Sequence, residues 1–496
     1  MAETQHLVRI ANGAITGTGS DVRVYRGIPF AAPPVGPLRW QPPQPVVPWS
    51  GVHDGSRFGY DPMQFPATEP ARRSRAPGCS EDCLTLNVWA PADVPAGGAP
   101  VIVAFDRGGF VAGSASPERT DGSAYARRGV VLVNANYRVG VFGFLSHPKL
   151  SAESPHQASG NYGFLDAIAA LRWVHENIAA FGGDPARVTV TGQSAGAVMT
   201  TLLPTSPLTE GLIARVISRS GSSFHAMHTL AEAEAACRAV VGDDLAALRA
   251  TPAADLLALN GTIDRGLRDL MTQVYLRPLI DGWSVVRDEI DAYRSGAYAP
   301  VPAIVGQTTD EAGGRITAGY PVKTTAELRA YLAQSFGADI DEAWTHYGAA
   351  TDAGVAQALG DVWSDDMFSY GIRGFAREAA KRQPKTFRYV FTHAGSGTAT
   401  PPQHGNDTPY AFGTGNFEGR DRTVSDAMLS AFCNFAATGD PNGPGAPPWT
   451  PYDAARDNYL EFGGTFNEGT NWRTAQIDFF DRLYDRRRAR VGASSS

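Results

Sequence analysis

The chain has 496 residues, 43% hydrophobic and 19% charged, which suffices for a large core and argues against intrinsic disorder. Its formal charge of −7 and isoelectric point near 5.8 exclude a general nucleic-acid binder, and four cysteines over this length exclude a disulfide scaffold. No apolar run is long enough to span a bilayer, and Met1–His6 has no basic segment followed by an apolar core, so a cytoplasmic protein without nucleic-acid or membrane partners is expected.

His6–Ile10 and Val22–Tyr25 read as an antiparallel hairpin region. Gly27–Gly36, with prolines at 29, 33 and 34, reads as ordered surface covering, because proline cannot join a central ladder. Cys79 and Cys83 are near enough in sequence to pair, whereas Cys237 and Cys433 fall in helix-like stretches as buried thiols. Strand-like runs recur at Leu84–Trp89, Val101–Phe105, Val130–Asn134, Val188–Thr191, Val216–Ser218, Ala303–Val305 and Phe387–Phe391. Helical patterns such as Leu165–Ala180 separate several of them. Short apolar strands alternating with amphipathic helices predict an α/β fold: one domain over 1–496 with a mostly parallel sheet covered on both faces. Residues 225–275 and 320–385 are helix-rich and are expected to cap the carboxyl edge of that sheet. The basic run Arg486–Arg490 ends a helix with Ile477, Phe480, Leu483 and Tyr484 on one face, where positive charge complements the helix dipole.

Ser194 carries the chemistry. It lies in Gly192-Gln193-Ser194-Ala195-Gly196, between the β-type run Arg187–Thr191 and the helix-compatible Ala197–Leu203. That is the strand–turn–helix setting of a nucleophile elbow, in which side chains at the two glycine positions would collide with the neighbouring strand or helix. A nucleophilic serine needs a base, and the base needs an orienting carboxylate; in α/β-hydrolases these follow in the order serine, acid, histidine. Asp310-Glu311 follows the strand Val301–Val305, and His404 follows Phe387–Thr392. Asp310 competes with Glu311 as the acid, and His393 with His404 as the base. Asp106-Arg107-Gly108-Gly109-Phe110 leaves another strand with two adjacent glycines, which let backbone amides approach a substrate oxygen. His225 and His228 lie in no motif. Metal-ligand spacings and nucleotide fingerprints are missing, so no metal and no cofactor is expected.

At this point the chain resembles the type-B carboxylesterases. The likeness runs from Tyr25-Arg26-Gly27-Ile28-Pro29 to Pro448–Tyr452, and is most specific at Ser80-Glu81-Asp82-Cys83-Leu84-Thr85-Leu86-Asn87-Val88. Asn136–Gly140, Phe181–Pro185 and Ala437–Asn442 are similar to further family blocks. The resemblance implies an α/β-hydrolase fold and a serine carboxylesterase that cleaves small-molecule esters through an acyl-enzyme, as a monomer or homodimer. It implies Ser194 as nucleophile, Glu311 as acid, His404 as base, and the amides of Gly108, Gly109 and Ala195 as the oxyanion hole. Ser220 matches a serine that the family places near the acid. The same triad also serves carbamate or amide hydrolysis and acyl transfer, whereas non-catalytic relatives typically lose a triad member. Asp106-Arg107 stands where the family has His-Gly, Gln193 where it has glutamate, and Met63 where it often has a partner for Cys83, which weakens a disulfide there. The segment Glu311–Arg315 lacks the aromatics that hold choline esters. Arg107 and Arg315 are candidates for a pocket mouth that prefers substrates bearing a carboxylate; the competing reading pairs them with Asp106 or nearby acids.

Overall fold

The computed structural model describes residues 5–494 apart from 67–72, 223, 265–269, 272–273, 314–316, 318 and 396–400. Fifteen strands occur among the described residues: β1 His6–Ile10, β2 Gly13–Gly17, β3 Val22–Pro29, β4 Val52–Asp54, β5 Asp61–Pro62, β6 Cys79–Ser80, β7 Thr85–Pro91, β8 Ala99–Phe105, β9 Val131–Ala135, β10 Gly183–Gln193, β11 Arg215–Arg219, β12 Ala303–Thr308, β13 Thr386–Phe391, β14 Asn458–Phe462 and β15 Glu468–Thr470. Ten of them form one sheet in the order β15-β14-β13-β12-β11-β10-β8-β9-β7-β3. Every pairing from β9 to β14 is parallel, and the antiparallel strands β7, β3 and β15 sit at the margins.

The apolar runs explain why the sheet is buried on both sides. Val101, Val103, Val131, Val133, Val188 and Val190 feed one core, and their neighbours Ile102, Ala104, Leu132, Ile217 and Ile304 feed the other. With a side-chain period of two, a strand that is apolar at every position has no face left for water. This is the α/β-hydrolase arrangement.

Two N-terminal readings change. β1 pairs not with Val22–Tyr25 but with β2, through a two-residue turn at Ala11-Asn12, while β3 joins the edge of the large sheet against β7. Asn in a two-residue connection is the hairpin signal, and β3 buries Val22, Val24, Tyr25 and Ile28 as a sheet strand does. Cys79 and Cys83 are both free thiols, as are Cys237 and Cys433. Cys79 is exposed on the short β6 pairing with β5, while Cys83 is buried in the first core, so the suggested bridge does not form.

Helices Leu230–Val241, Leu245–Ala250, Ala253–Leu256 and Ala258–Ile263 fall in the first helix-rich stretch, and Thr325–Phe336, Ile340–Tyr347, Val355–Ser364 and Tyr370–Ala380 in the second. A π-helical turn, Asp365–Ser369, joins the last two. The basic C-terminal run is tied down by its surroundings: Arg486 pairs with Asp339 at 2.7 Å, and Arg488 donates to the Tyr370 hydroxyl and the Phe224 carbonyl. None of the described helices is long and apolar enough to cross a membrane.

The loop after β9 is fastened to the helix Tyr162–Asn177 by a buried ion pair. Asp166 accepts from Arg138 N, Nε and Nη2 at 2.9, 2.8 and 2.7 Å, and the Arg138 Nη1 donates to the Gln41 carbonyl at 2.9 Å. Removing one partner strands the other charge in the core, so Asp166→Ala is expected to cost about 3–5 kcal/mol, read as a fall in the urea midpoint at unchanged m-value.

Candidate active site

β10 ends at Gln193, and the chain turns into the helix Ala195–Leu202 at Ser194, which holds φ 59° and ψ −121°. Such a backbone costs a non-glycine residue about 1–3 kcal/mol, and neighbouring contacts hold it in place. Ser194 N donates to the Arg219 carbonyl at 2.9 Å, and Val198 N donates to the Ser194 carbonyl at 3.0 Å. The flanking glycines have the steric roles expected of them. A Cβ at Gly192 would lie 2.1 Å from the Gly196 carbonyl, and one at Gly196 would lie 2.1 Å from the Phe105 oxygen at the end of β8.

Glu311 and His404 meet because their loops pair. Asp310 and Gln403 form an isolated parallel bridge beyond β12 and β13, with Asp310 N donating to the Pro402 carbonyl at 3.0 Å. The next residue on each loop carries the functional side chain. His404 Nδ1 lies 2.6 Å from Glu311 Oε2, and Thr308 N donates to Glu311 Oε1 at 2.7 Å. A carboxylate accepts only, so Nδ1 carries the proton and Nε2 of the neutral ring presents a lone pair. Asp310 is the lesser candidate: burial pushes its carboxyl up, and no His404 contact is made by it among the described residues. His393 is engaged elsewhere, with Nε2 2.6 Å from Asp421 Oδ1.

Ser194 and His404 are not hydrogen-bonded to one another among the described residues. The imidazole Nε2 lies instead 3.1 Å from the side-chain nitrogen of Gln193, the residue preceding the serine. The Gln193 amide therefore occupies the lone pair that a serine hydroxyl would use, and catalytic hydrogen bonds of this kind commonly tighten only when substrate is bound. A carboxylate at that position would favour the imidazolium instead. Gln193→Glu is expected to move the acidic limb of kcat/KM upward by about one pH unit, checked by a pH–rate profile.

A cavity of ≈ 110 Å³ opens onto the serine. Gly109, Phe110, Ser194, Ala195 and Ser220 border it on the sheet side, and Trp363, Met367 and Phe368 from the π turn and the helix before it close the other side. Phe368 also packs on the His404 ring, centroids 4.7 Å apart. Gly109 and Ala195 thus border the serine, whereas Gly108 is not among the lining residues; its φ of 147° and the Ala112 oxygen 1.9 Å from a notional Cβ explain why only glycine fits there. Ser220 holds φ 56° and donates its N–H to the Gly306 carbonyl at 2.7 Å; its hydroxyl does not bond to Glu311 among the described residues.

Of the two arginines expected at the pocket mouth, Arg107 does not stand there. Arg107 is buried behind the site, where its Nη1 donates to the His404 carbonyl at 3.3 Å and packs on Gly405, so it braces the histidine loop. Asp106 pairs with Arg119 rather than Arg107, at 3.3 Å. Arg315 lies outside the described residues. Among the described residues the cation that lines the cavity is Arg277, which sequence reasoning missed because Tyr275–Pro278 matches no motif or periodic pattern. His225, read as an ordinary histidine, also lines it. Among the described residues no group of three or more His, Cys, Asp or Glu side chains is arranged to hold a metal ion.

Comparison with known proteins agrees with this architecture. The carboxylesterase family profile matches residues 4–480. The chain is 40% identical to the fumonisin B1 esterase of Sphingopyxis macrogoltabida over 92% of its own length and 86% of that protein's. It is 32% identical to human carboxylesterase 3, covering 95% and 88% of the two chains, and 33% identical to human cocaine esterase, covering 90% and 84%. The chain belongs to the carboxylesterase family and is a carboxylic ester hydrolase.

Proposed function

We propose that Ser194, His404 and Glu311 form the catalytic triad of this esterase, with backbone amides of Gly108, Gly109 and Ala195 as the oxyanion hole. The observation that carries the reading is the 2.6 Å contact between His404 Nδ1 and buried Glu311, which fixes the tautomer so that Nε2, met here by the Gln193 amide, holds the lone pair that takes the serine proton once substrate displaces that contact. As the Ser194 hydroxyl attacks the ester carbonyl, Nε2 takes its proton, and Glu311 stabilises the imidazolium. The carbonyl oxygen, now negative, is met by fixed N–H dipoles, each such donor being worth about 10²–10³ in turnover. His404 then returns the proton to the departing alcohol. Water cleaves the acyl-enzyme by the reverse route, regenerating the serine. No step calls for a cofactor.

Phe110, Val198, Trp363, Met367 and Phe368 give the cavity an apolar wall suited to a short acyl or alcohol group. One relative is a fumonisin B1 esterase and another a cocaine esterase; ester cleavage is what carries over, and the choice of ester is read from this cavity. A cytoplasmic setting is supported by the four free thiols, three of them buried. Stopped-flow hydrolysis of p-nitrophenyl acetate tests the mechanism: a burst of about one p-nitrophenol per chain, followed by slower turnover, is expected of an acyl-enzyme. Equal burst sizes in wild type and Ser194→Ala would contradict it.

A further inference from the structure

Among the described residues, one guanidinium lines the cavity. Arg277 lines it together with Ser194, and its Cζ lies 5.6 Å from the centroid of the Phe110 ring, over the residue directly following the oxyanion glycines. A cation stacked on an aromatic face has its plane and position set by that face, so fewer rotamers are lost when it binds an anion. Most of the remaining lining is apolar or backbone, which raises the value of a charge-assisted contact by excluding water.

The acid in the same wall is turned to other donors. Asp366 accepts from Met271 N at 2.9 Å and from the Tyr484 hydroxyl at 2.9 Å, and burial raises its carboxyl to about 6. His225, which also lines the cavity, donates Nε2–H to the Asp366 carbonyl oxygen, because a carbonyl can only accept. Among the described lining residues, Arg277 is the side chain whose charge and planar donor fork match a carboxylate.

We propose that Arg277 selects esters that carry a free carboxylate a few bonds from the scissile carbonyl, holding that carboxylate while Ser194 attacks. The proposal rests on the triad reading above and adds the substrate class to it. Arg277 acts on substrate binding; proton transfer stays with His404. A quaternary ammonium ester would meet the same cation with the wrong sign.

The test compares matched acid and neutral esters under pH-stat at low salt. On the acyl side the pair is monomethyl and dimethyl glutarate; on the alcohol side it is 4-acetoxybutanoic acid and its methyl ester. Wild type is expected to favour the acid in one of the two pairs by about 10-fold or more in kcat/KM, mostly through KM. Arg277→Gln should remove that preference by lowering kcat/KM for the acid about 10-fold more than for its neutral partner, and Arg277→Lys should restore part of it. Glutarate should inhibit wild type competitively, with Ki rising about 10- to 100-fold in Arg277→Gln. Calorimetric binding of glutarate to Ser194→Ala separates the two readings. Retained ester turnover in Ser194→Ala, with glutarate binding still dependent on Arg277, would sink the triad alone. Equal constants for acid and neutral esters in both wild-type pairs would overturn the Arg277 proposal even if Arg277→Gln does not fold, and so would a preference that survives in a folded Arg277→Gln.

Discussion

Ser194→Ala is expected to lower kcat for p-nitrophenyl butyrate by about 10⁶-fold and to leave the melting temperature within a few degrees of wild type. Alanine keeps the Cβ and the same φ of 59°, so the strained turn, its bond to the Arg219 carbonyl and the glycine contacts on either side are retained. What is lost is the hydroxyl alone. The residual rate, about 10³–10⁴ over water, would report the oxyanion donors and the cavity without the nucleophile. Because the triad acts as a unit, adding His404→Ala to Ser194→Ala should cost almost nothing further. A Ser194→Ala enzyme that keeps more than a tenth of its activity would place the nucleophile elsewhere.

Glu311→Gln is expected to lower kcat by about 10⁴-fold at neutral pH. Both carboxylate oxygens are committed: Oε1 accepts from Thr308 N and Oε2 from His404 Nδ1. A glutamine fills the same space with one oxygen and one NH₂. If the oxygen satisfies Thr308, the NH₂ faces Nδ1 and drives the ring proton to Nε2, which can then no longer accept from the serine. The reverse placement turns an N–H toward the Thr308 N–H in a buried setting, which is costly. Either way the base is lost. Retention of wild-type kcat by Glu311→Gln together with its loss in Asp310→Asn would move the acid one residue back, to the residue whose backbone bridges to Gln403.

How much of this was legible in the sequence follows from where the information is local. The runs Val101–Phe105 and Val188–Thr191 are apolar at successive positions, which is enough to mark strands buried on both faces, and the Gly-x-Ser-x-Gly spacing is enough to mark the turn between strand and helix. β14 and β15 carried weaker signals: β14 alternates buried and half-buried residues and includes Asn458 and Glu461, and β15 is three residues long. The N-terminal hairpin was misassigned because the short β2, with two glycines, has little apolar content to announce it. At the site, Glu311 and His404 were placed by the order of motifs, but the bridge that joins their loops spans two residues 93 apart, and no local pattern encodes it.

The direction of long side chains was the least legible property of all. Arg107 adjoins the oxyanion glycines in sequence yet turns behind the site to the His404 carbonyl. Arg277 has no sequence neighbour of note and reaches the cavity over Phe110. Gln193 was visible as a missing charge, whereas its contact with the imidazole depends on the backbone geometry of the turn.

A fluorophosphonate ester bearing a small alkyl group, followed by proteolysis and mass spectrometry, tests the central claim most directly, since such reagents phosphonylate a hydroxyl only when a base activates it. One adduct per chain, on the peptide containing Ser194, appearing in step with loss of esterase activity and missing from His404→Ala, is the predicted outcome. Complete inactivation with the adduct on any other residue, or labelling of Ser194 at an undiminished rate in His404→Ala, would contradict the account.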